Sequence, residues 1–428
     1  MAGQQSHTFR TILLLVAINL LSFPVYAKYS GGTGEPNDPY QIAAAADLIA
    51  LGEDPNDYGK HFIMTADIDL DPNLPGGRVF GDALIAPDDS RGVGGHSGAS
   101  FRGVFDGGGH TIANLHIMGK YGYDAGLFGK LEGLVQDVNF TDVVVSGSPC
   151  GAIAGLNHRG MILRCRVTGQ ISGAEDVGGL VGSHWDASVV DCQADVKVTG
   201  NENVGGMIGG GPGGTLIHCE VQAEVNGETN VGGLVGEGFE GQILECRAAG
   251  TAIGDRNVGG LVGSSNKILI WMSSADCDVT AKQTAGGLVG SAHWLPGPLI
   301  SDCYARGSVT GSVVGGLAGE AQHDQFMNCY AACKIIPLEI EGKKLLVGGL
   351  FGNVWIPNWV PMTVACFWDA ELSGVTNGAG SDSRVFGTSL TTQQMRDKAV
   401  FEDAGWDFDY TWTIRKGQYP TLQWEGQN

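Results

Sequence analysis

Val231-Gly232-Gly233-Leu234-Val235-Gly236 is the stretch that decides the fold of this 428-residue chain, because the chain repeats it. The last glycine of each copy follows the previous one by 26 to 33 residues, and five of the steps are 27. A fixed period of about 20 to 50 residues indicates one supersecondary unit stacked many times. The close copies are residues 177–182, 204–209, 258–263, 285–290, 314–319 and 347–352, and two looser copies are residues 124–129 and 150–155.

Other residue types keep the same period, so the repeat specifies a backbone path. Within residues 177–203, short apolar runs alternate with Gly, Asn and Asp, a pattern typical of three strands joined by turns. Leucine-rich repeats need a different motif, and propeller blades need about 40 residues. The sequence therefore predicts an all-β, right-handed parallel β-helix of about 27 residues per coil, with each motif on a strand and its leucine or methionine inward. The structural repeat residues are Gly182, Gly209, Gly236, Gly263, Gly290, Asn203, Asn230 and Asn257.

The pattern resembles the GLUG-motif repeat family. The resemblance implies a bacterial secreted or surface protein, since such repeats occur in large adhesins and in immunoglobulin-A-cleaving metallopeptidases. Those peptidases need a zinc-binding HExxH helix. This sequence has no such run, so the resemblance implies no protease activity here.

The first 27 residues are typical of a secretory signal peptide, with Arg10 before an apolar core and Val25-Tyr26-Ala27 as the cleavage site. The whole chain has a net charge of −21, and loss of Arg10 would leave −22. Such a charge argues against nucleic acid or anionic membrane as a partner. No later stretch is long and apolar enough for a transmembrane segment. The sequence therefore predicts an exported mature chain, at the cell surface, in the periplasm or secreted.

The chain divides into four predicted segments. They are the signal peptide (residues 1–27), an N-terminal cap with irregular first coils (28–120), the repeat β-helix (121–365) and a C-terminal cap (366–428). A helix is predicted at residues 42–51, ended by Gly52, to cover the open strand edges at one end. Residues 366–428, rich in large aromatic side chains, are expected to plug the other end.

Two further sets of side chains could bind or cross-link. Asp67, Asp69 and Asp71 alternate along a predicted strand, so their carboxylates would share one face and could hold Ca²⁺; the alternative is a solvent-facing strand edge. No other cofactor is predicted.

The cysteines at residues 165, 192, 219 and 246 would stack about 4.8 Å apart. This spacing strains a disulfide, so buried free thiols are expected. The asparagines of the repeat are expected to form an amide ladder along one turn.

The loops after the motif differ most between coils and would align along one edge of the solenoid. Their candidate ligand-binding residues are His184, Trp185, His293, Trp294 and Trp355. An aromatic and polar stripe on a rigid rod suits an extracellular polymer, above all a glycan, or a surface protein. The competing interpretation is that these side chains only cover the corners of the core.

Three function classes follow. The first is a non-catalytic secreted or cell-surface repeat protein for adhesion or glycan binding. The second is a structural envelope or spacer protein, and the third is a polysaccharide-acting enzyme on a β-helix, which rests on fold analogy alone. The acidic residues show no pair that would flank a scissile bond, so the chain is predicted not to be an enzyme.

Overall fold

A computed structural model describes residues 28–89, 97–119, 123–293, 299–322, 325–355, 363–382 and 384–426. The predicted signal peptide lies outside these residues. The described chain winds as a parallel β-solenoid, as predicted, and every strand pair between successive coils is parallel. Val204 lies beside Val231, and Val231 beside Val258, so the 27-residue sequence period is also the strand register.

Each regular coil contains four strands, one in each of four sheets, where the sequence predicted three. The difference lies in the motif. Strand Thr229–Gly232 ends at its first glycine, and strand Val235–Phe239 begins after a bend at Gly233 and Leu234. The prediction of one continuous strand through the motif is therefore wrong. The prediction that the motif leucine points inward is confirmed, because Leu180, Leu234 and Leu261 are fully buried.

The four sheets are named first to fourth in the order in which a coil visits them. The first sheet contains Glu175–Gly178, Glu202–Gly205, Thr229–Gly232, Arg256–Gly259, Thr284–Gly286, Val313–Gly315 and Leu346–Gly348. The second contains Phe128–Leu131, Ala154–His158, Val181–Trp185, Ile208–Gly210, Val235–Phe239, Val262–Asn266, Val289–His293, Ala318–Gln322 and Phe351–Trp355. The third contains Tyr40–Ile42, His61–Met64, Val104–Asp106, Leu134–Gln136, Met161–Leu163, Ser188–Val190, Thr215–Ile217, Gln242–Leu244, Leu269–Trp271, Leu299–Ser301, Gln325–Met327 and Thr363–Val364. The fourth contains Ile68–Asp69, Thr111–Ala113, His116–Met118, Asn139–Gly147, Arg166–Gly173, Gln193–Thr199, Glu220–Asn226, Arg247–Gly254, Ser274–Ala281, Tyr304–Gly311, Tyr330–Pro337, Phe367–Asp369 and Thr388–Leu390.

Helical segments lie at the two ends of the chain. They are the α-helices Ala45–Glu53, Ala370–Ser373 and Lys398–Asp403 and the 3₁₀ turns Pro55–Asp57, Gln394–Arg396 and Gln423–Gly426. One antiparallel pair, Trp412–Thr413 with Thr421–Leu422, lies near the C-terminus.

The motif glycines are required by close backbone contacts between coils. A Cβ at Gly233 would lie 2.1 Å from the carbonyl oxygen of Gly260, and one at Gly236 would lie 2.4 Å from the amide nitrogen of Val204. Both distances are far below van der Waals contact, so only glycine allows the first and second sheets to bend this tightly.

The cysteine column lies at the corner between the third and fourth sheets. All ten cysteines are buried free thiols, as predicted for the column. Each thiol of the column bonds back to the carbonyl two residues earlier, for example Cys192 Sγ to Val190 O at 3.2 Å and Cys219 Sγ to Ile217 O at 3.3 Å. Ser273, which replaces the cysteine in one coil, makes the same bond to Trp271 O at 2.9 Å. The thiols therefore pack and secure a corner.

The asparagines of the repeat form the predicted amide ladder. Asn257 Nδ2 donates to Asn230 Oδ1 and Asn230 Nδ2 donates to Asn203 Oδ1, each at 2.9 Å, and Asn203 Nδ2 donates to Asp176 Oδ1 at 2.9 Å. The four residues have φ between 51° and 55°, a conformation that Asn and Asp tolerate better than most residues. One side-chain type therefore provides both the turn and the ladder.

The solenoid begins within residues 28–120, the segment predicted to hold the N-terminal cap and the irregular first coils. Parallel pairing starts at Tyr40–Ile42 with Phe62–Met64. The N-terminal helix is displaced from its prediction: it runs from Ala45 through Gly52 to Glu53, because residues 40–42 form the first strand. Leu48 and Leu51 are fully buried in the main core, so the helix caps that end of the solenoid.

The C-terminal residues do more than plug the far end. Trp368, Ala379 and Phe386 join the main core and close its last coil. Residues 391–426, here called the strap, instead fold back along the outside of the solenoid. Their buried side chains form a separate core with the outer face of the fourth sheet. It contains Met272, Tyr304, Tyr330, Phe367, Met395, Phe401, Trp406, Trp412, Leu422 and Trp424.

Candidate functional site

One residue position aligns along the exposed end of the second sheet, and we call it the edge column. Strand pairing places His158 beside Trp185, Pro212 beside Phe239, and Gln322 beside Trp355. The column contains His158, Trp185, Pro212, Phe239, Asn266, His293, Gln322 and Trp355.

The aromatic members of the edge column are exposed. Trp185 is 47% exposed, Phe239 39% and Trp355 70%. With adjacent strands about 4.8 Å apart, Trp185 and Phe239 lie about 10 Å apart and Phe239 and Trp355 about 19 Å apart along the solenoid. Lys267 Nζ lies 5.4 Å from the centre of the Phe239 ring and pairs with Glu240. The column thus presents three separated ring surfaces along one side of a rigid rod.

The predicted tryptophan stripe is only partly aligned. Trp185 and Trp355 occupy the same column, six coils apart, and Phe239 joins them. His293 occupies the column position in its own coil, so Trp294 follows one residue later. Trp294 itself lies outside the described residues. Counting two periods of 27 from Trp185 reaches Phe239, so the sequence contained the signal for this third aromatic residue.

His184, a predicted ligand-binding residue, lies inside the solenoid and is not part of the exposed column. Side chains alternate along a strand, so when Trp185 points outward, His184 points into the core, where it is 2% exposed. Its Nδ1 lies 3.4 Å from Asn157 Nδ2, and its Nε2 is buried without a partner among the described residues. Burial lowers the pKa of His184 to about 4, so the ring is neutral at pH 7.

His293 remains at the surface but is half-buried. Its Nε2 lies 2.5 Å from Ser291 Oγ, and burial lowers its pKa. Ser291 belongs to a polar column two residues before the edge column, with Glu237, Ser264, Glu320 and Asn353. Burial raises the pKa of Glu237, and the nearby Asp176 and Glu202 add to this rise. Hydroxyl, amide and carboxyl groups therefore adjoin the exposed rings.

The predicted calcium ligands do not converge. Asp67 accepts hydrogen bonds from Thr111 N and His110 Nδ1, Asp69 accepts from Asn114 Nδ2, and Asp71 accepts from Asn73. Only residues 68 and 69 are strand, because Asp71 begins a turn. Across the described residues, no three His, Cys, Asp or Glu side chains form a group that could hold a metal.

Two depressions that share Arg247 lie on the outer face of the fourth sheet, and the repeat pattern does not predict them. One groove, of about 260 Å³, is lined by Arg166, Gln193, Asp195, Glu220 and Arg247 among others. The second, of about 300 Å³, lies between that sheet and the strap and shares Arg247. The second depression exists because the strap folds back outside the solenoid.

In the parts of the chain that the structure describes, no helix is long and apolar enough to cross a membrane.

Comparisons with known proteins identify the repeat. The profile of the GLUG motif matches residues 173–199, which are one coil. Halomucin of Haloquadratum walsbyi is 32% identical over 149 residues, 33% of this chain and 2% of halomucin. A protein of Evansella cellulosilytica, named as a candidate Gly-rich membrane protein, is 36% identical over 126 residues, 28% of this chain and 13% of that protein. The alignments thus span a small part of either relative.

Among solved structures, a candidate immunoglobulin A1 protease from Bacteroides ovatus covers 93% of this chain and 96% of its own. The sequence identity is 17% and the TM-score is 0.43. We draw no argument about activity from a likeness at that level.

Proposed function

We propose that this GLUG-repeat β-helix protein is an exported, non-catalytic surface or secreted protein whose edge column binds an extended extracellular polymer, most directly a glycan. The observation on which the proposal rests is the exposure of Trp185, Phe239 and Trp355 in one register column. The similar stretches in halomucin and in a protein named for a membrane support an extracellular setting.

The physical argument is that flat rings at fixed intervals suit a polymer of ring-shaped units. Tryptophan is enriched at binding hot spots because it supplies a large apolar surface at low entropic cost. The coils hold the rings on a preformed platform, so little ordering is needed on binding. In the polar column beside them, the half-buried carboxyl groups of Glu237 and Glu320 and the amide of Asn353 are available to hydrogen-bond to sugar hydroxyls.

The test is a triple variant, Trp185→Ala with Phe239→Ala and Trp355→Ala, applied to a glycan array beside the unmodified protein. Loss of glycan capture with a nearly unchanged melting temperature is expected, because the rings are exposed. The matched control is Trp271→Ala, since Trp271 is 43% exposed but lies on the third sheet. Equal loss in the control would contradict a specific role for the edge column. Absence of any capture by the unmodified protein would favour the spacer function.

A further inference from the structure

The cleft between the strap and the fourth sheet is locally basic in a strongly acidic protein. The chain has 25 Lys and Arg side chains against 46 Asp and Glu, yet three arginines line this one cleft of about 300 Å³. Arg247 and Arg306 come from the sheet, and Arg415 comes from the strap. We propose that this cleft binds the carboxylate of an acidic sugar residue.

The acidic groups of the cleft do not balance its arginines. Asp276 Oδ2 accepts a hydrogen bond from Arg247 Nη2 at 2.7 Å and is thereby paired. Glu425 accepts from Ser274 Oγ at 2.6 Å and from Tyr304 Oη at 2.8 Å. Burial raises the pKa of Glu425. Three guanidinium groups line the cleft against two carboxyl groups, so an anion entering it meets a net positive charge.

The arginines differ in how far they are already engaged. Arg306 is fixed: its guanidinium lies 4.4 Å from the centre of the Tyr304 ring and it donates to the carbonyl of Pro420 at 2.6 Å. Arg306 therefore positions the strap. Arg247 is half-buried, and its Nη2 is already paired with Asp276.

Arg415 lines the cleft on the side formed by the strap. It lies on the strap with its side chain exposed. Arginine's planar fork suits bidentate recognition of a carboxylate. Arg415 on the strap and Arg247 on the fourth sheet both line the cleft and supply its positive charge.

The other lining groups favour a sugar over a simple anion. They are Thr413, Gln418, Tyr419, Thr421 and Leu422. Hydroxyl and amide groups beside an aromatic ring match the alternating hydroxyls and apolar face of a pyranose. The volume is at the lower end for small-molecule sites and suits one sugar unit. The overall charge of −21 opposes a long polyanion, so a single acidic unit of a mostly neutral glycan fits best.

The test is titration of the full chain with glucuronate, glucose and acetate, followed by NMR or calorimetry. Glucuronate is expected to bind more tightly than acetate, and glucose not to bind. Arg415→Ala should weaken glucuronate binding about tenfold or more, the effect of losing a charged hydrogen bond, and Arg415→Lys should restore part of it. The matched control is Arg256→Ala, an exposed arginine on the first sheet.

Three outcomes would overturn the inference: no saturable binding of glucuronate, equal affinity for acetate, or an equal effect of the Arg256 control. The edge column plays no part in this site. The triple aromatic variant should therefore still bind glucuronate, so failure here and failure of the proposed function are distinguishable.

Discussion

At the scale of single residues, the 27-residue spacing predicts the structural role of a position only where one residue type is needed for that role. Asn203, Asn230 and Asn257 were predicted because the side chain that allows the left-handed turn also makes the ladder. The corner before each cysteine is left-handed too, at Asp191, His218, Glu245 and Met272. No sequence pattern marks it, because the following thiol or hydroxyl secures that corner and the left-handed residue itself is free to vary.

The ladder predicts a graded response at Asn230. Asn230→Ala should lower the free energy of unfolding by about 2–4 kcal/mol, since two hydrogen bonds are lost and alanine must adopt a positive φ. Asn230→Gly loses the same hydrogen bonds without the backbone penalty, so its loss should be smaller. Urea denaturation of both variants measures the difference. Unchanged midpoints in both would contradict a stabilising ladder.

His184 predicts a specific sensitivity to acid. Burial lowers its pKa from 6.5 to about 4. Below pH 6.5 the unfolded chain takes up a proton that the folded chain refuses, so stability falls as the pH drops from about 6.5 to 4. A pKa shift of this size lowers the free energy of unfolding by roughly 3 kcal/mol once the pH is below both pKa values.

The variant His184→Asn removes this titration, and the neighbouring coil already has an asparagine, Asn157, at the same position. Urea midpoints at pH 7 and pH 4.5 should therefore differ less in the variant than in the parent protein. The same pH dependence in both proteins would show that His184 is not the group responsible.

At the scale of elements, apolar patterning predicted that strands exist but not where they bend. The motif was assigned to one strand because Val231, Leu234 and Val235 are all apolar, yet Gly233 and Leu234 turn the chain. The position of the strap is not predictable from sequence for a related reason. Trp406 and Trp412 had to be buried somewhere, and composition alone does not tell the open end of a solenoid from its outer face, where Tyr304 and Tyr330 provide a complementary surface.

The separate core of the strap predicts local unfolding. Trp412 is fully buried there, so Trp412→Ala should cost about 3–5 kcal/mol, and the loss should fall on the strap. Hydrogen exchange should accelerate at residues 391–426 and remain slow in the coils at residues 177–263, because local units can open below the global unfolding free energy. Uniform acceleration along the whole chain would contradict this independence.

At the scale of the whole molecule, residues that are one sequence period apart lie one coil apart along the solenoid, about 4.8 Å. This is why the edge column could be located from sequence to within one residue: Trp185 and Trp355 share it, but Trp294 follows its position by one. The longer steps of 29 and 33 residues leave the register of the sheets intact, since Val289 pairs with Ala318 and Ala318 with Phe351. The cleft under the strap could not be predicted in this way, because it depends on contacts between segments more than 100 residues apart, such as Tyr304 with Glu425.

The solenoid architecture predicts that one whole coil can be removed. Deleting residues 258–284 joins Asn257 to Ala285 and brings together strands that already pair in the same register, since Val258 lies beside Ala285. Each coil contacts mainly its neighbours, so the shortened chain should still melt cooperatively. Its loss of stability should include the contacts that Met272 and Ser274 of the deleted coil make with the strap. A control deletion of residues 258–270 should prevent folding, because about half a coil places inward residues on the wrong sheet.

The same deletion tests whether the spacing of the rings in the edge column sets the length of oligosaccharide that the protein prefers. It removes Asn266 and brings Phe239 and Trp355 one coil closer, by about 4.8 Å. The three aromatic residues of the edge column are kept, and Trp271 on the third sheet is lost with the coil. If the rings bind one extended glycan, the shortened protein should prefer a different oligosaccharide length on the array, and Trp271→Ala should change no preference. If the two lengths of protein capture the same oligosaccharides equally well, the rings act singly and the column does not bind one continuous chain.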